Sequence, residues 1–213
     1  MRLERENMLG YYNYTVILTY IGMMIGFTGI TLIFDGRYTQ AILCLMIAGI
    51  CDMFDGAIAA TKERNEDEKN FGIQIDSLSD LICFGAFPAI FLYGIGRPNY
   101  VSLFVSVAFL LCALIRLSFF NVDEAKRQKK CEGSRKEYLG LPVTTTALIL
   151  PATYEIGEHT NVNTGTLCTI VLAVVAIAYI TPIKLKKPKI VGKLCMIVIG
   201  ILELTFVLAG VDL

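Results

Sequence analysis

The chain reads as an all-α, polytopic membrane helix bundle, and four observations frame that reading. Apolar runs of about 20 residues recur from end to end, the length that crosses a hydrocarbon core of about 30 Å. Hydrophobic residues fill 55% of the 213 positions, and the mean hydropathy is +0.61. Basic residues fall almost wholly in alternate gaps between those runs. Finally, four carboxylates (Asp52, Asp55, Asp76 and Asp80) lie inside two of the runs, where each costs roughly 2.5–3.5 kcal/mol on insertion scales. Four such groups are not kept for packing. They require something cationic and functional among them.

Taken in order, residues 1–13 mix Arg2, Glu4, Arg5 and Glu6 with Leu3, Met8, Leu9 and Tyr11, the composition of a short helix lying in the membrane interface. Span one covers 14–34 and span two 39–60; a charged loop, 61–70, leads to span three at 71–93. Pro88 predicts a kink in that span beyond Asp80. A turn at 94–98 precedes span four at 99–121, and a basic loop, 122–139, precedes span five at 140–157, with Pro142 in its first turn. Span six, 163–182, stops at the lysine-rich stretch after Pro182. The last apolar run, 191–211, reads either as a seventh span or as a helix packed on the bundle. One domain, 1–213, with a six-span core at 14–182, is expected.

The loops orient the bundle. Of 19 basic residues, 16 lie in the N-terminal segment, the two-three loop, the four-five loop and the stretch after span six. The opposite side holds only Arg37 and Arg97, and Arg116 lies within span four. The positive-inside rule therefore places the N-terminus and loop 61–70 in the cytoplasm. Seven scattered cysteines without paired spacing argue against a disulfide framework or a zinc site. The first apolar run is long and lacks a small-residue cleavage site, so no cleavable leader is expected. The chain calls for a lipid bilayer, the plasma membrane being the expected one, and for no nucleic-acid partner.

Asp52 and Asp55 are three residues apart, and Asp76 and Asp80 four, so each pair shares a helix face. Gly56 and Ala59 continue the first face, and Gly72 lies one turn below Asp76 on the second. Small residues there leave room for a ligand or a close helix approach. Asp52 and Asp80 each lie 14 residues from Glu66, while Asp55 and Asp76 lie 11 and 10 away. Antiparallel helices joined by this loop bring Asp52 level with Asp80 and Asp55 level with Asp76. An all-oxygen ligand set suits Mg²⁺ or Mn²⁺, which favour phosphate oxygens. Phosphoryl-type transfer on a lipid diphosphate is one reading. A divalent-cation transporter is the alternative from another class; it is expected to spread acidic groups through the membrane's depth, whereas these lie level near one side.

The pattern Asp52-x-x-Asp55-Gly56-x-x-Ala59, then Gly72-x-x-x-Asp76-x-x-x-Asp80, resembles the signature of the CDP-alcohol phosphatidyltransferases. The resemblance implies a six-span core, usually homodimeric, with a polar cavity open to the cytoplasm. It implies two divalent ions, Mg²⁺ or Mn²⁺, on the four aspartates, holding the diphosphate of a CDP-linked lipid. Asp80 would be the catalytic base on an acceptor hydroxyl, and attack on the lipid-side phosphorus would expel CMP. Gly56, Ala59, Gly72, Asn13 and Lys62 are the expected CDP-lipid contacts. One departure is Ala60, where the family carries Arg, leaving Lys62 or Arg64 to supply that cation. The gap from Ala59 to Gly72 is also longer than the family's common spacing.

Asp76-Ser-Leu-Ser-Asp80, Phe84-Gly85, Pro88-Ala89, Arg116-Leu-Ser-Phe-Phe-Asn121 and Gly140-Leu-Pro142 are most similar to the phosphatidylserine synthase branch of that family. This implies CDP-diacylglycerol and L-serine as substrates, with glycerol 3-phosphate or inositol phosphate as other acceptors. Phe119 stands where the branch tends to carry a second Arg. Arg116 is the expected acceptor or phosphate contact, or else a snorkelling anchor near a helix end.

Overall fold

The computed structural model describes residues 10–96, 99–130, 137–186, 198–205 and 207, with backbone alone for 127–130, 137–139 and 184–186. Helix α1, Tyr14–Phe34, starts where the Asn13 side chain accepts from the Thr15 N–H at 3.0 Å. It ends at Gly36, whose φ of +73° turns the chain so that the Arg37 N–H returns to the Leu32 carbonyl. Helix α2, Tyr38–Ala59, follows at once.

Helix α3, Glu66–Asp80, begins earlier than the apolar pattern implies. Asn65 accepts from the Glu68 N–H at 2.8 Å, Glu68 accepts from the Asn65 N–H, and three acids fill the first turn. This capping box lets a polar turn join the helix before the membrane segment starts. The same rod continues through a π-helical stretch, Leu81–Ala86, into α4, Phe87–Ile95. Pro88 has no N–H and crowds the carbonyl four residues back, so the wide turns directly before it absorb what the sequence predicts as a kink.

Helix α5, Tyr100–Lys130, outruns the expected span by nine residues, because the charged segment after Asn121 stays helical. A three-residue strand, β1 (Glu137–Leu139), pairs antiparallel with β2 (Lys184–Lys186). Pro142 precedes a 3₁₀ turn, Val143–Thr145, and α6 runs Thr146–His159, later than the 140 start expected for span five. Helix α7 covers Thr164–Ile180 under an Asn163 cap. A further helical stretch occupies 198–205. The expected interfacial helix over 1–13 and most of the run 191–211 lie outside the described residues; Gly10–Asn13 are non-helical.

The architecture is an all-α polytopic membrane bundle. Among the described residues four helices, Tyr14–Phe34, Tyr38–Ala59, Glu66–Ile95 and Tyr100–Lys126, are long and apolar enough to cross a membrane, and α7 is a shorter apolar helix. α1 lies along α2 and also meets α3 and α4, while α5 packs on α7 and α6 on both α7 and α2. Phe84, Phe87, Phe91, Phe109 and Tyr179 form the fully buried aromatic centre. Tyr100 is 92% and Phe104 73% exposed, the arrangement of a helix face meant for lipid rather than water. The ribbon β1–β2 ties the segments after α5 and α7 at one end of the bundle. At the other end the Tyr38 hydroxyl donates to the Gly94 carbonyl at 2.6 Å.

Candidate active site

The carboxylates meet as the loop count requires. Asp52 and Asp80 lie side by side at hydrogen-bonding distance, and Asp55 pairs with Asp76 in the same way. Ligand oxygens of Asp52, Asp76 and Asp80 all fall within 4.8 Å of one another. Asp55 is set slightly apart, 8% exposed, and its Oδ2 accepts from the Thr19 hydroxyl at 3.0 Å. The cleft is narrow and lined by these carboxylates, Thr19 and Ser79 together with Cys51, Cys83 and Phe84.

Close approach of α1 makes this cleft. The buried stripe Thr15, Thr19, Gly22, Gly26 and Gly29 steps by four and three residues along one face of α1. A Cβ on Gly22 would lie 3.0 Å from the Cys51 Cβ, and one on Gly26 only 2.5 Å from the Cys83 Sγ. Cys51 and Cys83 stand beside Asp52 and one turn past Asp80, so the glycines press α1 against both carboxylate-bearing helices at the level of the site. The Cys83 thiol donates to the Gly22 carbonyl across this contact. Thr19, Ser79 and the glycine stripe were not singled out by sequence; the four-three stepping on span one was the available signal.

The other sequence-derived residues are placed as follows. Gly56 is exposed with open space about its Cα, and Ala59 is half-buried one turn on. Asn13 and Lys62 converge on one carboxylate: the Asn13 Nδ2 donates to Glu68 Oε1 at 3.3 Å, and the Lys62 Nζ stands 3.6 Å from the same oxygen. Gly72 lies under the Arg64 guanidinium, where a Cβ would come within 2.9 Å of Nη1. Arg116 is 6% exposed, donates from Nε to the Leu141 carbonyl at 3.2 Å, and stacks 5.3 Å from the Phe120 ring centroid. Gly140, at φ +77°, lets the backbone pass this guanidinium, because a Cβ there would meet Nε at 3.2 Å. Nearby, the Ser77 hydroxyl donates to Asn121 Oδ1 at 3.0 Å, joining α3 to α5.

The donor set can be tested against a divalent ion. Three carboxylate oxygens converge, all hard ligands, and among the described residues no basic side chain lines the cleft to neutralise them. Such a set fits Mg²⁺ or Mn²⁺ better than a soft metal.

Fold and site thus define an integral membrane protein with an acidic cleft whose converging carboxylates could hold a metal ion. The chain matches the CDP-alcohol phosphatidyltransferase family over residues 12–209 and belongs to that family. It is 31% identical over 148 residues to the archaetidylserine synthase of Methanothermobacter thermautotrophicus, a match covering 69% of this chain and 60% of the relative. It is 34% identical over 147 residues to the CDP-diacylglycerol–serine O-phosphatidyltransferase of Saccharomyces cerevisiae, covering 63% and 52%. The protein of that same name from Methanocaldococcus jannaschii is 27% identical over 194 residues, covering 87% and 84%. The chain therefore spans about half to three-fifths of the first two relatives.

Proposed function

We propose that this protein transfers the phosphatidyl group of CDP-diacylglycerol to the hydroxyl of L-serine, giving phosphatidylserine and CMP. The observation that carries the reading is the convergence of Asp52, Asp76 and Asp80 within 4.8 Å in a chain of this family. The serine-specific names of the relatives support the acceptor.

Asp52, Asp55, Asp76 and Asp80 would hold two divalent ions, Mg²⁺ or Mn²⁺. When bound, such ions neutralise a diphosphate and stabilise charge on the departing phosphate. Thr19 fixes the Asp55 carboxylate by donating to Oδ2, leaving Oδ1 to turn into the cleft. Asp80 accepts the serine hydroxyl proton as that oxygen bonds to the lipid-side phosphorus. The phosphorus–oxygen bond to CMP breaks in the same displacement, and its electron pair leaves on CMP. Ser79 and Cys83 flank Asp80 in the cleft wall and limit the positions its carboxyl can take. Gly56 and Ala59 leave the α2 face open for the nucleotide, with Asn13, Lys62 and Gly72 at its cytoplasmic rim. Arg116 contacts the acceptor side. The working protein is a homodimer in the plasma membrane, with the N-terminus and cleft facing the cytoplasm.

The test is a purified-protein assay with labelled CDP-diacylglycerol, Mg²⁺ or Mn²⁺, and serine, glycerol 3-phosphate or inositol 1-phosphate. CMP release with serine alone is expected, abolished by chelator and restored by the metal. CMP release with another acceptor replaces serine in the reading. No release, with metal flux into liposomes, replaces the enzyme by a transporter.

A further inference from the structure

A single carboxylate joins the ends of the three helices that supply the polar groups of the cleft. Glu68 closes the α3 capping box through Oε2, which accepts from the Asn65 N–H at 3.1 Å. That bond completes the cap and asks nothing of the second oxygen. Oε1 nevertheless turns to two other elements: the Asn13 Nδ2 donates to it at 3.3 Å, and the Lys62 Nζ stands 3.6 Å away. Asn13 is the cap of α1, its Oδ1 committed to the Thr15 N–H, and Lys62 follows the end of α2 by three residues. The Tyr14 and Thr61 hydroxyls, 3.1 Å apart, add a second tie between α1 and the end of α2. Thr19 lies six residues along α1 from Asn13, Asp55 seven back from Lys62, and Asp76 eight along α3 from Glu68. The tie is therefore about 9–12 Å from the cleft along α1 and α3, at 1.5 Å per residue. Glu68, Gly72 and Asp76 follow one another at intervals of four, so a shift at Glu68 travels along one helix face to Asp76.

We propose that Glu68 is a positioning residue for the metal cleft: by holding the starts of α1 and α3 and the exit of α2 in one place, it sets the height at which Thr19, Asp55 and Asp76 face one another. This deepens the metal-site reading above and rests on it. Glu68 touches neither substrate nor ion, and its effect passes through the helices. A ligand constellation tolerates displacements of only about 0.5 Å, so a modest slip of one helix end is felt in the cleft. The helix dipole alone does not call for Glu68, because Glu66 and Asp67 already fill the same first turn with negative charge.

The experiment titrates the full chain in nanodiscs with Mn²⁺ in the absence of nucleotide, reading bound Mn²⁺ per folded protein by electron paramagnetic resonance. Glu68→Ala is expected to raise the Mn²⁺ dissociation constant about fivefold, and Glu68→Gln, which keeps one accepting oxygen, about twofold. Two further variants separate positioning from simpler effects. Glu66→Gln removes a carboxylate from the same helical turn, and Asn65→Ala weakens the same cap while leaving the Glu68 carboxylate its partners. Both are expected to bind Mn²⁺ as wild type does. Wild type that binds Mn²⁺, beside a Glu68→Ala that binds it as tightly, overturns the positioning role and leaves the metal site standing. So does equal weakening in Glu66→Gln, which is an effect of charge alone, or in Asn65→Ala, which is an effect of the cap alone. Wild type that binds no Mn²⁺ overturns the metal-site reading, and Glu68 with it.

Discussion

Two seams of the bundle are built on opposite rules. Where α1 meets α2 and the π-helical stretch after α3, the contact residues are Thr19, Gly22 and Gly26 against Cys51 and Cys83, small side chains that let backbones approach closely. Where α5 meets α7, Phe109 and Tyr179 fill the space with ring centroids 5.4 Å apart, and the Tyr179 hydroxyl donates to the Val143 carbonyl while also bonding Thr146. Bulky packing holds a shape with few demands on backbone register. Close glycine packing fixes the helices to a fraction of an ångström, which an ion site needs, and leaves little volume to lose before it fails. The difference assigns precision to the first seam and cohesion to the second.

Substitutions can break or sharpen that contrast. The largest effect is expected for Asp80→Asn, which removes the proton acceptor; CMP release should fall about 10³-fold while CDP still binds, as calorimetry would check. Equal loss of CDP binding would make Asp80 a metal ligand first. Phe109→Ala leaves a cavity in the aromatic seam and should cost about 3–5 kcal/mol in unfolding, with the metal concentration for half-activation unchanged in the folded fraction. Gly26→Ala presses a methyl into Cys83, so about 1–3 kcal/mol of stability and several-fold in metal activation should be lost together. That joint loss separates the two seams. Thr19→Val keeps the shape and removes one hydrogen bond to a carboxylate, for an expected loss of about 1.5–3 kcal/mol expressed mainly as a raised metal requirement. Lys62→Met should change stability by only a few tenths of a kcal/mol, since its bridge to Glu68 is solvent-screened.

Much of this was legible in the chain. The α1 boundaries match the apolar run from 14 to 34, and the pairing of Asp52 with Asp80 and of Asp55 with Asp76 follows from equal or nearly equal distances along two antiparallel helices. The early start of α3 was missed because a polar first turn carries no apolar periodicity, although Asn65 and Glu68 spell its cap. The ribbon β1–β2 was missed because three residues are too few to show alternation. Asn13 and Lys62 were each expected to contact the CDP-lipid, and in the structure both reach Glu68, a residue that periodicity had left in a loop.

The sequence by itself determined the membrane setting, the gathering of basic residues into alternate loops and the pairing of four aspartates on two adjacent helices. Hydropathy, charge bias and helical spacing are all properties of short windows, and each is written along one stretch of chain. Only the tertiary structure decided that Thr19 addresses Asp55, that Gly22 and Gly26 seat α1 on Cys51 and Cys83, and that Arg64 folds over Gly72. Those contacts depend on how one helix is rotated and shifted against another. The packing of many side chains sets that rotation, and no single segment records it.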